Sequence, residues 1–412
     1  MATRTISNSG GNYNATGTWV EGAVPTSADD VVATATSGQL TVNVASAAQS
    51  FNFTNYTNTL TMNNIWTVSG ASLTNTFVSA MTISGGSNIN LTGAGAIIVT
   101  NGKTIPNMSI TNAKTLNDTL NVGNFSIASG LTLTGAQTIN CSGNFTANNT
   151  TTLIGTGITL NLTGTGTLTG ILGLLKVSIN TSGTITIASS GLYLSTSSVI
   201  STNELEYVTG TIAGTKRIWF LASGTPTSTY ILNMGSSSGW DLWWRWPGNA
   251  TTTVNGLTLK SDFNFNKMYL WIPSVTQTNS MTWLINGAGA LKNGSVIICP
   301  WITSNAPVAS PLFYNNFTNM KFGSTASHLL STLECMGLDG SNVVISSQTA
   351  STTAYLGVSG TASVINATIT DIDASAGPFS TFRGTLTRTT AITNYNTLSG
   401  GGVSGGSWTF VQ

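Results

Sequence analysis

Apolar residues alternate with Thr, Ser or Asn in runs of three to six along this chain, and Gly or Asn then interrupts. Leu40–Val44 (LTVNV), Thr59–Met62 (TLTM), Ile89–Leu91 (INL), Ile158–Leu162 (ITLNL) and Thr184–Ile187 (TITI) are of this kind. A period of two puts every second side chain on one face, so these runs predict short strands with one face buried. Helical periodicity is hard to find.

A spacing recurs within the pattern. Gly123-Asn124-Phe125 returns as Gly143-Asn144-Phe145, and Leu131–Gly135 (LTLTG) is echoed at Thr151–Gly155 (TTLIG), both at the same interval. Self-similarity at a period of roughly 20 residues, with a few short strands per unit, predicts an all-β solenoid in which each coil stacks on the last. The expected fold is an elongated right-handed parallel β-helix, the hand following the general preference of parallel crossovers. The expected organisation is an N-terminal cap and attachment segment over 1–38 and coils of roughly 20 residues over 39–200. An aromatic-rich β section or set of widened coils follows over 201–340, with closing coils and a last strand over 341–412.

Composition sharpens this picture. The chain has 412 residues, 40% of them hydrophobic, which is enough for a real core, but only 6% are charged. Stacking accounts for the depletion: equivalent side chains on neighbouring coils sit about 4.8 Å apart, where a like-charged pair costs roughly 3 kcal/mol. Thr, Ser and Asn can instead ladder their hydrogen bonds. The net charge is +1 with Lys and Arg scattered singly, which argues against nucleic acid as a partner. No apolar run of about 18 residues occurs and the opening MATRTISNSGG has no signal-peptide pattern, so neither membrane insertion nor ordinary secretion is expected. Cys141, Cys299 and Cys335 lie far apart without CxxC spacing and read as free buried thiols.

Two segments carry a resemblance. Gly17–Val32 (GTWVEGAVPTSADDVV), leading into LTVNV, resembles the entry module of β-helical surface and phage structural proteins. Val364–Phe382 (VINATITDIDASAGPFSTF), with the terminal GGSWTF, resembles the closing coils of right-handed parallel β-helix proteins of phage virions. The resemblance implies a non-enzymatic virion structural protein: a fibre, spike or capsid-surface decoration, made in the host cytoplasm and exposed on the particle. The elongated shape leads to the expectation of a homotrimer that meets other virion proteins, and the neutral hydroxyl and amide surface to a host surface glycan as a candidate further partner. A tail-spike polysaccharide depolymerase and a cellular adhesin or S-layer-like protein are the alternatives.

Candidate chemistry is sparse, with twelve carboxylates in all. Glu204 with Glu206 and Asp371 with Asp373 are the pairs that a strand would put on one face, as glycoside cleavage requires. TNELEYV reads as an exposed edge kept single by charge, and Asp371-Ile372-Asp373 as a strand end accepting turn amides, so no catalytic residue is assigned. The single histidine, His328, has no second histidine for a metal, and neither a metal nor a cofactor is expected. Gly164–Gly170 (GTGTLTG) reads as a coil corner. Eight of the eleven tryptophans fall between Trp219 and Trp301, four of them in Gly239–Pro247 (GWDLWWRWP). Trp240, Trp243, Trp244 and Trp246, with Arg245, are the binding candidates; packing, protein docking and glycan binding all suit flat rings beside polar groups.

The entry segment supplies the structural candidates. Trp19 is expected to cover the apolar end of the first coil and Pro25 to set the turn into it. Asp29 and Asp30 are expected to bind turn amides and deter end-to-end addition, at a place where no preceding coil would repel them.

Overall fold

The computed structural model describes residues 2–128, 130–147, 152–188, 190–196, 201–221, 227–235, 237–245, 253–261 and 263–271. Beyond these it describes the strands Met281–Gly287, Val296–Trp301, Phe317–Phe322, Ser327–Met336, Val343–Ser347, Ala354–Ile365, Ala367–Thr370, Ile372–Asp373, Gly384–Thr387 and Thr409–Val411. The protein is all-β. Among the described residues every ladder is parallel, and one short 3-10 turn, Thr16–Thr18, is the only helical element. Among the described residues no helix is long and apolar enough to cross a membrane. The chain forms two compact units: Met1–Ser189 with Val208–Thr215, and Ser190–Tyr207 with Lys216–Gln412.

In the first unit the alternation seen in the sequence becomes strand after strand, each paired with one at nearly the interval of the sequence repeat. Leu40–Val42 lies beside Thr59–Met62 with Leu40 opposite Leu60, and Trp66–Val68 lies beside Ile89–Leu91 with Trp66 opposite Ile89. The buried positions of each strand stack on those of the next, as in Leu40, Val42, Leu60 and Met62. Phe125 faces Phe145 across such a pair, in step with the Gly-Asn-Phe repeat, and their rings meet edge to face at 5.8 Å. The second repeat behaves differently: Thr132 pairs with Ile154 and Leu133 with Gly155, instead of with Thr152 and Leu153. The LTLTG echo is therefore out of register, because the connection before Thr152–Leu162 is longer.

Outward positions of this unit are joined by amide ladders. Asn124 Nδ2 donates to Asn107 Oδ1 (2.8 Å), and Asn124 Oδ1 in turn accepts from Asn144 N (2.8 Å). A second row runs from Asn121 through Asn140 to Asn161, with Nδ2 to Oδ1 distances of 2.8 and 3.1 Å. Where charges do meet in register they alternate in sign: Arg217 faces Asp241, which faces Lys267. Like charges nowhere face each other among the described register pairs, which is the outcome the repulsion argument requires. Gly164–Gly170 is not simply a corner, since Gly166–Thr169 is a strand paired with Gly166 opposite Ile185.

Turns bring backbones close together. A Cβ on Gly93 would lie 1.8 Å from the Gly70 carbonyl oxygen, so only glycine fits this crossing. Trp66, Phe51, Phe53, Tyr56 and Phe77 form a fully buried aromatic cluster in this unit. Phe51 sits 4.6 Å from Phe77 and 5.2 Å from Trp66 between ring centroids.

The N-terminal edge departs from expectation. Thr3–Thr5 pairs with Asp30–Val32, placing Thr3 opposite Asp30, so the two aspartates do not stand in the outermost strand. Part of the outer edge is closed by the chain itself. Residues 18–20 turn back antiparallel along residues 5–7, with Ile6 bridged to Trp19, Ser7 N donating to Thr18 O (2.8 Å) and Val20 N to Thr5 O (2.9 Å). Glu21 adds an acceptor for Thr5 N at 2.8 Å. These contacts use backbone groups that an open edge would offer to another chain.

The second unit repeats the scheme with longer spacings. Leu192–Ser195, Arg217–Leu221, Ser238–Arg245 and Asn264–Trp271 form one parallel run, in which Leu192 faces Ile218, Ile218 faces Leu242 and Leu242 faces Met268. Thr202–Gly214, through its residues 202–206, pairs with Thr227–Asn233, and this strand with Thr253–Leu259. Leu192, Leu194, Ile218, Phe220, Leu242, Tyr230 and Leu257 are buried between the runs.

Candidate functional site

The inward face of the first run in this second unit is aliphatic and aromatic core, so its alternate residues point outward. Tyr193 alternates with Leu192 and Leu194, Trp219 with Ile218 and Phe220, and Trp243 follows Leu242. Register places these three outward rings directly above one another. Tyr193 and Trp219 stack with centroids 5.7 Å apart and planes 5° from parallel, and Trp219 and Trp243 meet at 4.7 Å. All three are half-buried, which leaves part of each ring toward solvent.

Polar groups fix and flank this ladder. Trp219 Nε1 donates to Ser190 O (3.0 Å), holding its ring in plane. The Arg217 guanidinium carbon lies 4.7 Å from the Trp243 centroid and 5.9 Å from that of Trp219, cation–π geometry. Asp241 occupies the outward position beside Arg217. Flat apolar rings bordered by ionic groups are suited to the apolar face and hydroxyl rim of a sugar ring.

The sequence candidates are divided by this arrangement. Trp243 belongs to the outward ladder. Trp240 is fully buried, its Nε1 bonded to Ser237 Oγ at 2.8 Å, so it serves as core and is removed from the docking set. Trp244 shares a register position with buried Phe220, and Arg245 one with Leu221. Trp246 lies outside the described residues. Tyr193, Trp219 and Arg217 were not legible as a group in GWDLWWRWP, but a signal existed: Arg217-Ile-Trp219, Asp241-Leu-Trp243 and Lys267-Met-Tyr269 repeat a charged and an aromatic residue two apart.

The carboxylate pairs are placed as follows. Glu204 and Glu206 share one face of their strand, Glu204 paired with Lys260 Nζ at 2.8 Å and Glu206 Oε1 accepting from Asn233 Nδ2 at 3.2 Å. Asp371 lies outside the described residues, and of Asp373 and His328 only strand positions are described. Among the described residues no group of three His, Cys, Asp or Glu side chains gathers around a common point. Cys141 is a buried free thiol, pushed upward in pKa by that burial.

At the entry segment Trp19 is buried, its Nε1 bonded to Tyr13 O (2.9 Å) and its ring set edge-on to Tyr13 at 5.1 Å. Pro25 is buried immediately before a turn closed by Asp29 N to Thr26 O (3.0 Å). Asp29 is buried and accepts from Thr26 N (3.0 Å), Thr26 Oγ1 (2.9 Å) and Ala2 N (3.1 Å), with Arg4 Nε 3.6 Å away. Asp30 accepts from Ser50 Oγ at 2.5 Å.

The Thr26 backbone bond is the main force holding the Asp29 carboxyl below the usual range, working against burial and aided by the Thr26 hydroxyl, Ala2 and Arg4. A depressed folded-state pKa gives stability that is present above the unfolded value and is lost as pH falls through the folded one. Asp29→Asn is expected to lower stability at neutral pH by about 1.5–3 kcal/mol and to flatten the acid limb. Urea unfolding between pH 3 and 7 measures both; an unchanged midpoint at pH 7 would contradict the assignment.

Comparison of the chain with protein-family models, with curated proteins and with solved structures finds no match.

Proposed function

We propose that the chain is a right-handed parallel β-helix with a structural, non-enzymatic role on the surface of a phage virion, and that the Tyr193–Trp219–Trp243 ladder docks a host surface glycan. The fold half of this reading is supported by the uniform parallel pairing of successive strands and by the asparagine rows that repeat along the first unit. The virion assignment follows from the resemblance of the entry and closing segments. One observation carries the adhesive role: three aromatic rings stacked in register on an outward face, half-open to solvent and edged by Arg217 and Asp241. Stacking holds the rings to one another, and what they leave toward solvent is available to a saccharide, which gains roughly 1 kcal/mol or more for each ring it covers.

Binding of the full chain to immobilised host-cell polysaccharide tests this. Trp219→Ala and Trp243→Ala should each weaken retention about tenfold, which corresponds to about 1.4 kcal/mol. Retention unchanged in the double variant would reject the docking surface. The same polysaccharide, assayed for reducing ends, should show no release; release would overturn the non-enzymatic reading and return attention to Glu204 and Glu206.

A further inference from the structure

We infer that Cys299 and Cys335 are a redox pair that forms a disulfide between two adjacent strands. Sequence distance hides their relation, for a long connection separates them. The pairing of Val296–Trp301 with Ser327–Met336 sets Val296 opposite Thr332, Ile297 opposite Leu333 and Cys299 opposite Cys335. Partners in a parallel register share a face of the sheet, and their Cα atoms lie about one strand spacing, roughly 4.8 Å, apart. That separation is inside the span of roughly 4.4–6.8 Å over which disulfides close. Cys141, in the other unit, is paired in register with Val122 and Leu162 and has no cysteine beside it.

The step needs an oxidant, and a small-molecule disulfide suffices. Each thiol gives up its hydrogen, one S–S bond forms within the chain, the S–S bond of the oxidant breaks, and two molecules of its thiol leave. A reducing cytoplasm would keep the pair open and release into an oxidising medium would close it, clamping the connection from Pro300 to Glu334. The inference rests on register and is independent of the glycan reading.

The test uses the full chain, purified under reduction, then incubated folded with oxidised glutathione, quenched with iodoacetamide, denatured and digested without reductant. Mass spectrometry should recover a linked peptide pair containing Cys299 and Cys335 that disappears on reduction, with Cys141 alkylated. Cys141→Ser should leave the link intact, and Cys299→Ser should abolish it and leave Cys335 alkylated or glutathionylated. Recovery of both Cys299 and Cys335 as separate alkylated or glutathionylated peptides from the wild-type chain would overturn the inference.

Discussion

Trp66→Ala is expected to lower the unfolding free energy by about 3–5 kcal/mol, the largest loss of any single substitution considered. Trp66 is fully buried in the strand Trp66–Val68, between Ser46 on one side and Ile89 on the other. Its ring lies 5.2 Å from Phe51, 5.9 Å from Phe53 and 6.1 Å from Tyr13. Phe51 belongs to the strand Ser50–Asn52, and Phe53 and Tyr13, each just past a strand end, are tied by Phe53 N to Thr76 O (2.9 Å) and Tyr13 N to Thr41 O (2.8 Å), so the wall resists collapse into the space left behind and the cavity cost stays high. Denaturant titration reads the effect as a lower midpoint, with Val20→Ala, at a site 66% exposed, as a control that should barely move. A Trp66→Ala midpoint matching the wild type would mean that the aromatic cluster does not hold the unit together.

Lys114→Met is expected to act in the opposite direction. Lys114 is 2% exposed, stands on the inward side of Lys114–Leu116, and has buried Ala96 and Leu133 as register partners. Its Nζ donates to the Gly93 carbonyl, and no carboxylate pairs with it among the described residues. Loss of hydration on burial pulls its pKa from 10.5 down to about 8. Between those values the unfolded chain holds more protons than the folded one, so stability rises with pH there. Below pH 8 the buried charge costs about 3 kcal/mol relative to high pH. Methionine has similar reach without the charge; stripping the Gly93 carbonyl of its donor returns part of the gain, leaving about 1–2 kcal/mol of net stabilisation at pH 7. Equilibrium unfolding at pH 7, 8, 9 and 10 should show the rise in the wild type and a flatter line in the variant. An equal slope in both would show that Lys114 is not the group being titrated.

Local order was legible in the sequence because alternation is a local property. TLTM and INL are strands with the same limits in the structure, Thr59–Met62 and Ile89–Leu91. The all-β class and the repeat interval came from the same source. Register was less legible, since it depends on the length of each connection: the Gly-Asn-Phe repeat kept step while the LTLTG echo slipped, Leu133 meeting Gly155 instead of Leu153. The site was harder still. Density of tryptophan drew attention to GWDLWWRWP, yet strand alternation sends Trp240 inward and gives Trp243 its partners from two earlier strands, Trp219 and beyond it Tyr193. Lys114 was invisible for a different reason: its position fits the inward alternation, but a lysine there defies the cost of burying a charge.

The returning segment at residues 18–20 has a kinetic meaning. With residues 5–7 covered on their outer side, the sheet that begins at Thr3–Thr5 is extended in one direction, toward the residues that follow. Each later strand needs a partner only one repeat behind it, so the loop closed at every step is short and nearly constant in cost however long the chain becomes. Structure can then be laid down in the order of synthesis, each strand templated by its predecessor, with a single growing front instead of two.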